Sequence, residues 1–416
     1  MERVRLWVLW LALAVVAGCT ERVQSFGELG ISGNPVRGQQ LVEHFECNRC
    51  HQPRMSVDGR NCLSCHTAIG EGRSVALPGR PDRGDLERWA SRIQHYREVP
   101  SLHATGQLLR RDWIARFLVA PHDLRPRLSE TMPRLAMSDH DARDIAAYLA
   151  SAESVEPYFA DRAIGDWTKP LGPNMRVGDV GRGRTVFEDK GCGACHLYSG
   201  AYEAPTVTAD RLEERSLLLA VDLRHTRDRF QPRKLVAWIL EPRHFKVDAV
   251  MPKLGLTYQE ARDLAAFIME EPLQEVDREE AVERLPLLDR PVGFDEVNDA
   301  LFSRTCVHCH DDADLGVLGD GGPGNVGGFG FSAKRLSFAS YEALHAGWVD
   351  DRGERRSVFE RTSDGTPRLV KVLLLRRDEE AGHHDAWMRG MPMSLPSVTP
   401  EVLQLVESWV AQGRPR

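Results

Sequence analysis

The chain has 416 residues, a formal net charge of −7 and a hydrophobic fraction of 42%. That length leaves room for two to four domains, and without a basic excess there is no field to attract nucleic acid. Its 54 Lys and Arg are intermixed with 61 Asp and Glu, the pattern of a solvated surface rather than of a charged tail.

At the N-terminus, Arg3 and Arg5 precede an apolar run from Leu6 to Ala17. The run is too short for a bilayer, which takes about 20 residues, and fits the apolar region of a secretory signal. Its ending, Val15-Val16-Ala17-Gly18-Cys19, resembles a lipoprotein signal, with Val16 where such signals usually have Leu. The resemblance implies that residues 1–18 are removed and that Cys19 becomes the acylated first residue. It also implies an exported protein on the periplasmic side, anchored to a membrane. Thr20 rather than Asp after the Cys favours the outer membrane where there is one.

Nine cysteines occur in all, and apart from Cys19 every one belongs to a C-x-x-C pair followed by His. The four motifs are Cys47/Cys50/His51, Cys62/Cys65/His66, Cys192/Cys195/His196 and Cys306/Cys309/His310. C-x-x-C-H is the attachment signature of haem c. Positions i and i+3 share a helix face, so both thiols can bond one edge of the ring, and the following His lies beneath the iron as an axial ligand. Zinc also takes Cys and His, but it does not require His at the fifth position each time. The cofactor expected is therefore four covalently attached haem c groups and their iron.

Downstream of the motifs stand three Met-Pro pairs, Met132-Pro133, Met251-Pro252 and Met391-Pro392. Met opposite His raises the potential of a haem iron and suits an electron carrier. The surrounding sequence repeats. Residues 113–149 and 235–268 each predict an apolar helix, a Pro-bearing loop, Met-Pro and a capped helix. Ser138 with Asp141, and Thr257 with Glu260, are the start signals of those last helices. An Arg-Gly pair at 37–38 and at 182–183 stands at the same distance before the first Cys, and Leu102–Thr105 corresponds to Leu223–Thr226, an expected pocket wall.

The third unit is looser. A longer stretch separates His310 from Met391 than separates His196 from Met251, and the closing helix starts at Thr399-Pro400 with Trp409 in the place of Tyr148 and Phe267. Gly322-Pro-Gly324-Asn-Val-Gly327 formally satisfies G-x-G-x-x-G, but no βαβ unit surrounds it; a loop at the haem edge is expected. Residues 152–180 and 270–283 are expected to be solvated connectors.

The order of helix, C-x-x-C-H, pocket wall, Met-Pro and terminal helix resembles the class I cytochrome c domain. The whole resembles an exported multihaem c-type cytochrome lipoprotein. The resemblance implies a mainly α fold of three tandem helical domains: a dihaem domain at 30–152, a monohaem domain at 175–271 and a monohaem domain with a Gly-rich insertion at 292–416. It also implies electron transfer between a membrane-side donor and a redox acceptor, both protein partners of unknown identity.

Four irons need eight axial ligands, and the motifs with Met132, Met251 and Met391 supply seven. By the repeat register Met132 belongs with His51, so the Cys62/Cys65 haem lacks a sixth ligand. The candidates are His95, His103, His122 and His44; His95 is favoured because it precedes the pocket wall in a stretch with no counterpart ligand in the second unit. An open sixth position there would instead make a haem enzyme, a peroxidase or small-molecule reductase.

Overall fold

Helix pairs frame the core. α1 (Pro35–His44) lies against α3 (Asp139–Ser151), with α2 (Arg111–Val119) packed on the same helix. α4 (Val180–Asp189) lies against α6 (Tyr258–Glu270), with α5 (Pro232–Leu240) alongside. α7 (Phe294–Val297), continued by a π-helical turn at Asn298–Phe302, meets α9 (Pro400–Ala411), against which α8 (Arg368–Glu380) also packs. The structure, a computed structural model, describes residues 32–51, 67–72, 84, 87, 90, 99–128, 132–151, 178–212, 214–246, 249–276, 284–311, 322–380 and 382–416. Among these the fold is mainly α, and the sheet is one antiparallel pair, β1 (Trp348–Val349) with β2 (Arg355–Arg356). No helix among the described residues is long and apolar enough to cross a membrane.

The sequence repeat is visible in the helix starts. Thr257 and Glu260 form a capping box: the Thr257 N–H donates to Glu260 Oε2 at 2.7 Å, and the Glu260 N–H donates to Thr257 Oγ1 at 3.2 Å. Ser138 and Asp141 do the same, at 3.1 and 3.2 Å. Each exchange satisfies two backbone donors that a helix end leaves unpaired. Thr399 caps α9, with Pro400 at its first position.

The Arg-Gly pairs explain themselves in the same way. Arg182 Nε donates to Asp263 Oδ2 at 2.8 Å, and the Asp179 N–H donates to Asp263 Oδ1 at 2.7 Å. In the first unit Arg37 pairs with Asp144, and the Asn34 N–H donates to Asp144 Oδ1 at 2.7 Å. Each Asp is almost fully buried. Burial pushes the Asp263 carboxyl up, but bonds from Arg182, Asp179 and Gln259 together hold it below the usual carboxylate range. A carboxyl lowered on folding adds stability above its unfolded value, about 3.9, and loses it as pH falls through the folded value. Asp263→Asn is therefore expected to cost about 1–3 kcal/mol at pH 7. The gap from wild type should close below about pH 4, as read from guanidinium midpoints at pH 7 and pH 3. An equal gap at both would contradict the ion pair's role.

Three hydrophobic clusters follow the three units, around Phe45 and Ile145, Phe187 and Phe267, and Phe302 and Trp409. They are not separate bodies, because residues Gly33–Arg416 form one compact unit. Ala104 and Leu108 of the first unit sit in the second cluster, and Phe329 of the third packs on the first. Backbone joins them as well: the Arg110 N–H donates to the Arg229 carbonyl at 2.6 Å, and the Asp222 N–H to the Leu124 carbonyl at 2.9 Å.

Candidate functional site

The three described C-x-x-C-H motifs share one backbone shape. In each, the second Cys N–H donates to the first Cys carbonyl at 3.2 Å, and the His N–H donates to that same carbonyl at 2.9–3.0 Å. One tight turn thus joins the two cysteines and the histidine of each motif. None of these six cysteines is in a disulfide, and all are half-buried. Burial pushes Cys47 and Cys192 up to about 11 and Cys306 up to about 12. Redox-active dithiols need the opposite shift.

The imidazoles are fixed from behind. His51 Nδ1 lies 2.8 Å from the Pro100 carbonyl oxygen, and His196 Nδ1 lies 2.8 Å from the Val221 carbonyl oxygen. Pro100 and Val221 each stand two residues before the paired leucines Leu102 and Leu223, so the wall expected from the repeat is what orients the rings. A ring that donates Nδ1–H to a carbonyl presents Nε2 as an acceptor, the usual support of a metal-bound His. Burial lowers both imidazoles below their ordinary pKa, so they stand neutral, as a ligand must. His310 is pushed down to about 4 by burial; its Nδ1 faces the backbone near Leu336 and Gly324 without a well-formed hydrogen bond.

A cavity of about 940 Å³ opens beside two of the motifs. Its lining includes Cys47, Cys50, His51 and Met132 from the first unit, and Cys306, Cys309, His310 and Met391 from the third. Met132 and Met391 therefore face the same space as the His each was paired with. Met251 is half-buried in the loop before α6 and is not among the residues lining this cavity. The rest of the lining is mostly apolar, with Trp113, Ile114, Phe117, Leu118, Phe338 and Leu373 among it.

Charge in the lining is cationic except for Asp351: Arg49, Arg125, Arg229, Lys246, Lys334, Arg368 and Arg389. Arg229 is half-buried, lies over the Trp113 ring at 5.1 Å, and its Nε has no hydrogen-bond partner. Burial, with Arg125 nearby, brings it down to about 10. An apolar slot with paired thiols, an oriented imidazole, a thioether and half-buried cations fits haem c, a flat apolar ring with two propionates. Arg229 and Lys246 belong to the second unit yet reach the first unit's cavity, which sequence reasoning missed. The available signal was Arg229 standing in the register of the apolar Leu108.

The doubled motif is only half placed. Cys62, Cys65, His66 and His95 lie outside the described residues, as does Cys19. Of the other candidates for that haem's sixth ligand, His103 and His44 are exposed. His122 lines the cavity, with its ring centroid 5.2 Å from that of His225. The Gly-rich stretch is at the site: Pro323, Gly324, Phe329 and Gly330 line the cavity, and no βαβ unit encloses it among the described residues.

Comparison with curated proteins gave no match to the chain, and comparison with solved structures gave none either. Residues 180–271, the stretch from α4 to the end of α6, match the family model of cytochrome c, and so support a c-type cytochrome in general, with covalently bound haem c and a part in electron transfer.

Proposed function

We propose that the chain is a lipid-tethered tetrahaem c-type cytochrome that carries electrons outside the cytoplasm, between a membrane-side donor and a redox acceptor. Its three cytochrome c-like modules are residues 30–152, 175–271 and 292–416, the first carrying two haems. The observation behind this reading is the common turn of the three described motifs, with His51 and His196 each held through Nδ1 by the pocket wall.

Haem c, when bound, supplies an iron that alternates between ferric and ferrous states. The protein's own groups do the rest. The paired cysteines would hold the ring, and His51, His196 and His310 would ligate the iron through Nε2. Met132, Met251 and Met391 would supply a thioether ligand, which raises the potential. His66 and His95 are assigned to the Cys62/Cys65 haem. Trp113, Phe117 and Phe338 keep water from the cavity, while Arg229 and Lys246 offset propionate charge.

In expressing cells, the reversible haem spectrum should sediment with membranes, and Cys19→Ala should move it whole into the soluble fraction. Retention of the variant in membranes would count against the tether. Turnover of hydrogen peroxide by the purified protein would count against the carrier.

A further inference from the structure

Resting on that reading, we propose that the haem sites of the first and third motifs form one electron-exchange pair in a single cavity, with the second motif outside it. The chain order of the units does not suggest this. A relay following the sequence would pass from the first module through the second to the third.

Three observations carry the pairing. The first is the cavity, which is continuous from Cys47, Cys50 and His51 to Cys306, Cys309 and His310. Cys192, Cys195, His196 and Met251 are not among its lining residues.

The second is the Gly-rich loop, which touches both motifs at backbone distance. A Cβ on Gly322 would lie 2.6 Å from the Cys309 carbonyl oxygen, and one on Gly324 would lie 2.3 Å from the His310 ring. A few residues on, a Cβ on Gly330 would lie 2.4 Å from the Phe45 ring. Between them the Phe329 N–H donates to Glu46 Oε2 at 3.0 Å, and the Arg49 guanidinium lies 5.5 Å from the Phe329 ring centroid. Phe45, Glu46 and Arg49 immediately flank or belong to the first motif. Glycine is required where backbone approaches this closely, and here it approaches two attachment motifs at once.

The third is a matching contact on the methionine side. Arg389 Nε donates to the Arg134 carbonyl at 3.0 Å, and its Nη2 to the Leu135 carbonyl at 3.1 Å. Arg134 Nη1 returns a bond to the Asp385 carbonyl at 2.7 Å. Arg134 and Leu135 follow Met132-Pro133, and Arg389 precedes Met391-Pro392. Both sides of the first site are thus clamped to the corresponding sides of the third.

The exchange is a single-electron step: one iron goes from ferrous to ferric as the other goes from ferric to ferrous. No proton, bond or co-reactant is involved. Reducing one member changes the charge beside the other, so the two should also titrate anticooperatively.

The test is electron paramagnetic resonance of the oxidised protein, with the first-motif signal identified by its loss in Cys47→Ser/Cys50→Ser. Removing the third haem with Cys306→Ser/Cys309→Ser should narrow that signal and slow its relaxation. Removing the second with Cys192→Ser/Cys195→Ser should leave it unaltered. A signal identical in wild type and in the variant without the third haem would overturn the pairing, as would an equal change on removing the second. Where a cysteine variant fails to mature, Arg134→Ala serves instead. Arg134 lies outside the cavity lining, and the change removes its bond to the Asp385 carbonyl between the two sites; it should weaken the coupling, and unaltered coupling overturns the proposal. A wild-type protein with haem at both motifs but no coupling defeats the pairing alone, whereas one lacking haem there defeats the proposed function as well.

Discussion

Replacing Met132 with His is expected to lower the midpoint potential of the first-motif iron by a few tenths of a volt while leaving it low-spin. Axial ligands set haem potentials over a range of roughly 0.8 V, and thioether opposite imidazole lies on the high side of bis-imidazole. The position is suitable because Met132 faces the cavity into which His51 also points, and is only half-buried. Met137 makes the control. It is buried in the first hydrophobic cluster and does not line the cavity, so Met137→Leu should cost less than about 1.5 kcal/mol and leave every potential unmoved. Spectroelectrochemical titration of both variants reads the result. An unchanged titration in Met132→His would show that Met132 is not on the iron.

Gly183→Ala should cost about 3 kcal/mol or more, the upper end of what overpacking usually does. The added Cβ would sit 1.9 Å from the Asp263 carbonyl oxygen and 2.8 Å from the Phe267 Cβ. The first of these atoms is helical backbone, so relief requires α4 and α6 to separate. Separation would also pull Arg182 from Asp263 and loosen the Phe187–Phe267 contact, whose ring centroids are 5.4 Å apart. Two residues earlier in the same helix, Gly181 is exposed, and its Cβ would meet only Asp179 Oδ1 at 3.5 Å. Gly181→Ala should therefore stabilise by up to about 1 kcal/mol, as helix propensity dictates. Thermal or guanidinium unfolding of the pair gives the comparison. Similar stabilities for the two variants would show that the close approach does not hold the helices.

The features written in local spacing were legible. The three described C-x-x-C-H turns and the capping pairs recur at fixed distances, because a short segment alone determines them; the Arg-Gly pairs recur too, but their bonds to the buried Asp144 and Asp263 are long-range and were not foreseen. The pocket wall was legible as a repeat, though only the structure shows that its Pro100 and Val221 carbonyls orient the histidines. What stayed hidden depends on contacts between units. Ala104 and Leu108 look like first-unit residues until they are found in the second cluster. Arg229 looks like a surface cation until its place over the Trp113 ring puts it beside the first unit's cavity. The loop at Gly322–Phe331 was expected at a haem edge, but its composition says nothing of Phe45 and Glu46 on its far side. No periodic signal marks such pairings, since the partners lie hundreds of residues apart and meet only once the modules dock. Within the long third-unit insertion, the β1–β2 pair and α8 were likewise unmarked, α8 because both its faces carry mixed apolar and charged residues.

The most direct measurement is the haem content of the mature protein, by pyridine haemochrome absorbance together with intact mass. Complete use of the eight paired cysteines predicts four covalent haems per chain, all retained after denaturation. Three or fewer would contradict it, and a chain that binds zinc in place of haem at these cysteines would overturn the reading of the motifs altogether.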